Sequence, residues 1–199
     1  MTIFTFPSIV PTSSSLEIVS NTKTFRSPLT NSVQTSARGG SLWSIKMQFN
    51  NLTGADKATL QAFLAKLNGQ EHRFYLQDHG YVRRGAAGGS LLIKGAAQSG
   101  SILLCDNATA NVSNYSMAGD YVSFNNELHM VTANANSDAS GNITLAIAPP
   151  IRKPTIDNDW VINTAPVFGV FMLASKASWS NQQGLLSSFS VEAVEDVLA

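Results

Sequence analysis

Leu42-Trp43-Ser44-Ile45-Lys46-Met47-Gln48-Phe49-Asn50 sets four large apolar residues against Ser44, Lys46, Gln48 and Asn50 without a break. Successive side chains of a strand point to opposite faces, so this run is a strand with one buried face. Just upstream, Val33, Thr35 and Ala37 alternate with Gln34 and Ser36, and Arg38-Gly39-Gly40 offers a loop that tolerates positive φ. The pattern predicts that these two runs pair antiparallel. Downstream, Leu60, Phe63, Leu64 and Leu67 fall at i, i+3, i+4 and i+7, flanked by Lys57, Gln61 and Lys66. Thr53 stands where an N-cap is needed, Asp56 follows three residues later, and Asn68-Gly69 is a stop signal. A helix from Ala55 to Leu67 that packs on a sheet is the expected result. Alternation then resumes, with Phe74 and Leu76 against Arg73, Tyr75 and Gln77.

After Arg83-Arg84 the composition breaks at Gly85, Gly88 and Gly89, which read as a flexible joint. Short strands are expected at Leu91 to Lys94, Ser101 to Cys105, Tyr121 to Phe124, Glu127 to Thr132, Ile143 to Ala148 and Trp160 to Ile162. Asn125-Asn126 suits a two-residue hairpin, because Asn accepts left-handed backbone conformations. Asp138-Ala139-Ser140-Gly141-Asn142 makes another loop, and Pro149-Pro150 is expected to end a strand by removing backbone donors. The spacing describes a small barrel or sandwich of roughly 80 residues.

From Pro166 the pattern changes again. Val167 to Ala174 is apolar on both faces, as in a central covered strand, and Phe189, Val191 and Ala193 alternate with Ser188, Ser190 and Glu192. The fold class expected is mainly β with one α-helix. Residues 1–80 and 166–199 form a discontinuous β-sandwich or barrel domain, and residues 81–165 are an inserted small β-barrel or sandwich. The ends of the insertion should meet at one edge, so that excision of residues 84–164 leaves a folded remainder. The N-terminal dozen residues read as a loose arm.

Composition narrows the function. The 199 residues carry 13 Lys plus Arg against 13 Asp plus Glu, so no global field draws the chain towards nucleic acid or anionic membranes. Only 13% of residues are charged, a polar but weakly charged surface that suits a subunit held in an assembly. The lone Cys105 excludes an intrachain disulfide framework, and its place in Ile102-Leu103-Leu104-Cys105 makes it a buried strand residue. MTIFTFPSIVP lacks the basic and apolar regions of a secretory signal, and no run approaches the ~20 apolar residues that span a bilayer. The sequons at Asn51, Asn107, Asn111, Asn114 and Asn142 then reflect Asn and Ser/Thr richness alone.

His72, His79 and His129 lack zinc-site spacing and read as surface or interface residues. No nucleophile elbow or phosphate-binding loop occurs. Asp157 and Asp159 resemble a glycosidase pair only in being neighbours, and carboxylates beside Pro154 are more often turn formers. Arg83-Arg84 is too short a basic run to be a phosphate patch. Trp43 belongs to the buried set, whereas Trp160 and Trp179 are candidate interface anchors. No catalytic, cofactor-binding or metal-ligating residue is assigned, and no cofactor is expected.

Arg38-Gly-Gly-Ser-Leu-Trp43-Ser-Ile-Lys-Met-Gln-Phe49, the helix ending Ala62-Phe63-Leu64-Ala65-Lys66-Leu67-Asn68-Gly69, and Phe74-Tyr75-Leu76-Gln77-Asp78 resemble the N-terminal core of phage distal tail proteins and related minor tail subunits. Gly119-Asp120-Tyr121-Val122, Leu128-His129-Met130-Val131, Asp138 to Asn142 and Leu145 to Arg152 are similar to the β-domain inserted in such proteins. The resemblance implies a non-enzymatic virion protein with a tail-tube-like ring domain, forming a homohexamer at the tail tip after assembly in the host cytoplasm. Its implied partners are the tail-tube protein, the hub, fibre or receptor-binding protein of the baseplate, and the tape-measure protein. DNA would pass through without specific binding, and no membrane is involved. Two other readings stand beside it: a tail-tube subunit or other tail component, and a carbohydrate-binding module using Trp160 or Tyr121. A hydrolase built on Asp157 and Asp159 is a third.

Overall fold

The computed structural model describes residues 1–197 apart from Arg38, Ala165, Gln182, Gly184 and the Ala37 side chain. Arg38 of the expected hairpin loop, Ala165 at the expected domain boundary and the last two residues thus lie outside the described residues. The first part of the chain forms β1 (Ile3–Thr5), β2 (Ser13–Val19), β3 (Thr22–Arg26), β4 (Val33–Ala37), β5 (Leu42–Leu52), α1 (Gly54–Lys66) and β6 (Arg73–Leu76). The middle supplies β7 (Gly89–Ile93), β8 (Gly100–Ala108), β9 (Tyr121–Phe124), β10 (Glu127–Val131) and β11 (Ile143–Ile151). β12 (Gly169–Leu173), β13 (Ser178–Asn181) and β14 (Ser187–Glu195) complete it. The protein is mainly β with a single helix among the described residues, and its curled sheets form half-barrels.

A seven-stranded sheet runs in the order β1-β6-β12-β14-β5-β2, with β13 beside the start of β14. It therefore joins strands from both ends of the chain. Alternation holds where the sequence showed it: β5 buries Trp43, Ile45, Met47 and Phe49, and β14 buries Phe189, Val191 and Ala193 beside them. β12 is central, between β6 and β14, with Val170, Phe171 and Leu173 buried. The apolar stripe of α1 closes this core with Leu60, Phe63, Leu64 and Leu67. Each such side chain stabilises the fold by roughly 1.5–3 kcal/mol through removal from water. Thr53 has the extended backbone of an N-cap, but its side chain makes no capping bond. Asn68 and Gly69 both have positive φ and end the helix as expected.

The N-terminal dozen residues are not a loose arm. β1 pairs parallel with β6, Phe6 donates its amide to the Tyr75 carbonyl, and its ring lies among Phe49, Phe63 and Phe74. β1 and β2, neighbours in sequence, lie at opposite ends of the strand order, and β1 reaches β6 by a non-local pairing that periodicity does not reveal.

A five-stranded sheet, in the order β7-β8-β11-β10-β9, holds a second core of Leu91, Ile93, Leu103, Cys105, Tyr115, Val122, Phe124, Ile143, Leu145 and Ile147. Asn125 and Asn126 both take positive φ between β9 and β10, the turn expected of them. The expected strand end at Pro149-Pro150 is corrected: β11 continues to Ile151 through both prolines, with a cis Ala148–Pro149 peptide. The ladder to β8 breaks its register between Ala146 and Ile151, so missing donors are tolerated at an irregularity. Trp160 and Ile162 make isolated bridges to Leu92 and Ser123 instead of a strand of their own.

The glycine-rich stretch is no flexible joint either. A Cβ on Gly85 would lie 2.5 Å from the Tyr115 carbonyl oxygen and 2.6 Å from the Asp120 carboxylate. Buried Asp120 accepts the amides of Arg84, Gly85 and Met117 at 2.8, 2.9 and 2.8 Å, fixing this crossing to the middle sheet.

Candidate functional site

The expected pairing of residues 33–37 with the strand at 42–50 is not what forms. β4 pairs with β3, from Thr22 opposite Ala37 to Arg26 opposite Val33, while β5 pairs with β2, from Val19 opposite Leu42 to Ser13 opposite Gln48. Together they make one long hairpin whose outer part leaves the large sheet as a two-stranded ribbon. Gly40, at φ 99°, lies where β4 gives way to β5 and is a joint within one side of this hairpin. The reversal comes between Ser27 and Ser32, closed by the Ser27 amide on the Ser32 carbonyl. All five residues of β3 are exposed, as are the described side chains of β4. Phe25 is 67% exposed and Leu29 93%. A ribbon of two strands with no buried side chain has no core of its own.

The second feature is a groove of about 680 Å³ between the β1–β6 edge of the large sheet and the middle sheet. Tyr75 and Phe168 form one wall, Ser123 to Asn126 the turn above it, and Ile156, Trp160 and Ile162 the opposite wall. Tyr75 and Phe168 meet edge to face at 6.4 Å, and Trp160 is 63% exposed at the rim. Aromatic surface left open beside asparagine and a carboxylate, Asp159, is the composition of a recognition site.

The outer wall is stitched to β7. Gly95 donates its amide to Asp157 Oδ1 at 2.7 Å, Ile93 donates to the Asp159 carbonyl, Asn158 donates to the Ile93 carbonyl, and Trp160 donates to Asp159 Oδ1. Behind the groove lies a buried ionic network. Arg152 Nη1 and Nη2 donate to Glu195 Oε2 and Oε1 at 2.7 and 2.8 Å, and Arg152 Nε reaches Glu127 Oε2 at 3.3 Å. Glu127 Oε1 accepts the Lys153 amide at 3.0 Å, which holds the groove-lining segment after Arg152. Glu195 also accepts the amides of Leu128 and Trp43. His129 Nδ1 lies 2.8 Å from the Pro149 carbonyl, which only accepts, so Nδ1 carries hydrogen. Its Nε2 stands 3.3 Å from Glu127 Oε2. Burial alone would raise the Glu127 pKa, but the His129 contact and the Arg152 charge outweigh it and hold the carboxyl below its ordinary value.

Apolar contacts cross the same seam. Trp43 Nε1 donates to the Leu128 carbonyl at 2.7 Å, and its ring meets Tyr121 edge to face. Tyr121 is buried in the first core, so it offers no face to a ligand, which corrects its place beside Trp160 as a sugar-stacking candidate. His129, expected at a surface or interface, is wholly buried and stacks on Phe124. His72 and His79 are partly buried in the first region and apart from it. Asp157 and Asp159 bind backbone amides, as turn formers do. Arg83 donates to the Gly85 and Tyr115 carbonyls, so it is committed to the crossing. Trp179 is half-exposed and stacks on Phe189. Burial and then Asp106 push the Cys105 thiol up to about 12, leaving it inert.

Among the described residues no group of three His, Cys, Asp or Glu side chains is placed to hold a metal ion, and no helix is long and apolar enough to cross a membrane. Sequence reasoning missed Glu127, Arg152 and Glu195, which come from three separate strand ends, and it missed the arm because Gly39-Gly40 imitated a hairpin turn. No protein-family model matches the chain, and no curated protein matches it.

Proposed function

We propose that this chain is a non-enzymatic structural subunit of a phage tail, forming a ring at the distal end of the tail tube and joining the tube to the hub or receptor-binding apparatus. The observation that carries this reading is the exposed β3–β4 arm, which hangs from one edge of the large sheet with Phe25 and Leu29 in water. An isolated two-stranded ribbon is marginally stable in water, so a neighbouring subunit that covers it would stabilise it. The resemblance of residues 38–78 to distal tail proteins supplies the position in the particle and the number six.

The open face of the large sheet suits the wall of a channel for DNA. On it Lys46 lies 3.3 Å from Glu192 and 3.8 Å from Glu17, and Gln48 donates to Ser190. One cation between two carboxylates leaves this wall without the basic stripe that would grip phosphates and slow DNA passage. Inserted between the halves of the large sheet, the 81–165 region is proposed to project outwards from such a ring and to meet the rest of the tail tip.

Native mass spectrometry of the full chain over a range of concentrations, together with labelling of the subunit in intact tails, tests the proposal. A closed ring in solution and label at the tail tip are expected. A chain that is monomeric at every concentration and absent from purified virions would remove it.

A further inference from the structure

The arm and the groove lie at opposite ends of the strand order of one sheet: the arm extends β2 and β5, whereas the groove is walled by Thr5 of β1 and Tyr75 of β6. We propose that the tip of the β3–β4 arm of one copy seats in the Trp160 groove of the next copy, with Phe25 and Leu29 against Trp160, Phe168 and Ile156. This rests on the reading of the chain as a self-assembling subunit, and it names the two surfaces that such assembly uses.

Three features select a second copy as occupant. The first is topology. The two patches are different and lie at the two ends of the strand order, so joining the arm of one copy to the groove of the next gives a head-to-tail contact that repeats and closes as a ring when the rotation permits. The second is chemistry. The arm presents exposed apolar side chains, and the groove presents apolar and aromatic walls; at about 680 Å³ it has room for two large side chains. The third is charge. Lys23 shares a face of the arm with Phe25, Arg26 follows it, and the described arm residues include no carboxylate. The groove contributes Asp159, with exposed Asp157 beside it, while the Lys153 ammonium is directed to the Asn125 carbonyl. Opposite charges at the rim of an apolar contact fix its register more than its strength.

The length of the arm agrees. Five paired residues rising ~3.3 Å each carry the reversal roughly 17 Å beyond the sheet, enough to leave its own subunit.

The test uses full-length protein carrying Leu29→Cys or Ile156→Cys. Mixed and oxidised, the two single variants should give a covalent dimer that neither gives alone, and the double variant should give a ladder. Cys105 does not interfere, being wholly buried. In parallel, Phe25→Ser with Leu29→Ser, or Trp160→Ser alone, should raise the concentration at which oligomers form at least tenfold while leaving the unfolding transition in place, because all three side chains are exposed. Oligomers that persist unchanged in these variants, without the cross-link, would overturn the arm-in-groove contact and leave the ring reading standing. The same result would arise if the groove held a saccharide or a different protein. A wild-type chain that never self-associates would overturn both.

Discussion

Arg152 holds Glu195 by two parallel hydrogen bonds of 2.7 and 2.8 Å, so the last strand of the large sheet is tied to the end of β11 in the middle sheet. Planar guanidinium matches planar carboxylate in this arrangement, which lysine cannot reproduce. Glu127 and His129 complete a network from which water is almost excluded. Arg152→Met leaves Glu127 and Glu195 buried without the guanidinium that they share. A loss of about 3–5 kcal/mol is expected, because breaking a buried pair from one side strands the other charge. Urea unfolding followed by tryptophan fluorescence measures it; a loss under about 1 kcal/mol would mean that water reaches the site.

The same network predicts an acid-sensitive stability. The folded pKa of Glu127 lies below its unfolded value, so its contribution is fully present above the unfolded carboxylate value, ~4.3, and is lost as pH falls through the folded one. Urea midpoints measured from pH 6 down to pH 3 should fall for the wild type, and Glu127→Gln should start lower and fall less steeply. Parallel curves for the two proteins would assign the acid sensitivity to other groups.

Phe63→Ala tests the helix face. Phe63 sits between Phe6 and Phe74, with ring centroids 5.1 and 5.8 Å away, at the point where β1, β6 and α1 meet. Removing the ring should cost about 3–5 kcal/mol through lost burial and the cavity that remains. An unchanged melting temperature would place the helix outside the core.

How far these features could be read from the sequence follows from how local their causes are. The alternation at 43–49 and 189–193, the Leu60–Leu67 stripe and the Asn125-Asn126 turn each depend on residues a few positions apart, and each is found where periodicity places it. The hairpin failed because its pairing is decided by competition. β5 can satisfy the edge that faces away from β14 with the near run at 33–37 or the farther run at 13–19, and Leu16 packs against the core where the Val33 side chain is exposed. Arg152, Glu127 and Glu195 are separated by 25, 43 and 68 positions, and no spacing rule joins charges across two sheets. Nine of the eleven positive-φ residues other than glycine among the described residues are asparagines, among them Asn51, Asn107, Asn111 and Asn114, which tolerate left-handed backbone.

Gly85→Ala separates a close-packed crossing from a flexible joint. The added methyl group would meet backbone at 2.5 and 2.8 Å and the Asp120 carboxylate at 2.6 Å, so the strand crossing and the amides bound to Asp120 must shift. The expected cost is about 1–3 kcal/mol, as for overpacking. Gly39→Ala is the control, since nothing lies within 4 Å of its Cβ position. Equal stability of the two variants would restore the joint.

Excision of residues 84–164 with a short Gly/Ser bridge asks whether the two sheets fold as one. The ends to be joined are neighbours, since Tyr81 and Pro166 line the same small pocket. The helix-side core of Phe6, Phe49, Phe63, Phe74 and Phe171 lies wholly within the retained residues. Against this, the cut strips Trp43 of the Leu128 carbonyl and the Tyr121 ring, and strips Glu195 of Arg152 and the Leu128 amide. Those groups become exposed to water, so the loss is of apolar contact and of the bidentate ion pair without a stranded buried charge. The remainder should therefore fold with a lowered midpoint and a near-ultraviolet circular dichroism band from its aromatic cluster, and Trp43→Gln should improve its solubility. A remainder with no cooperative transition would show that the Arg152–Glu195 seam is internal to a single folding unit, and the 81–165 region could then no longer be treated as an insertion.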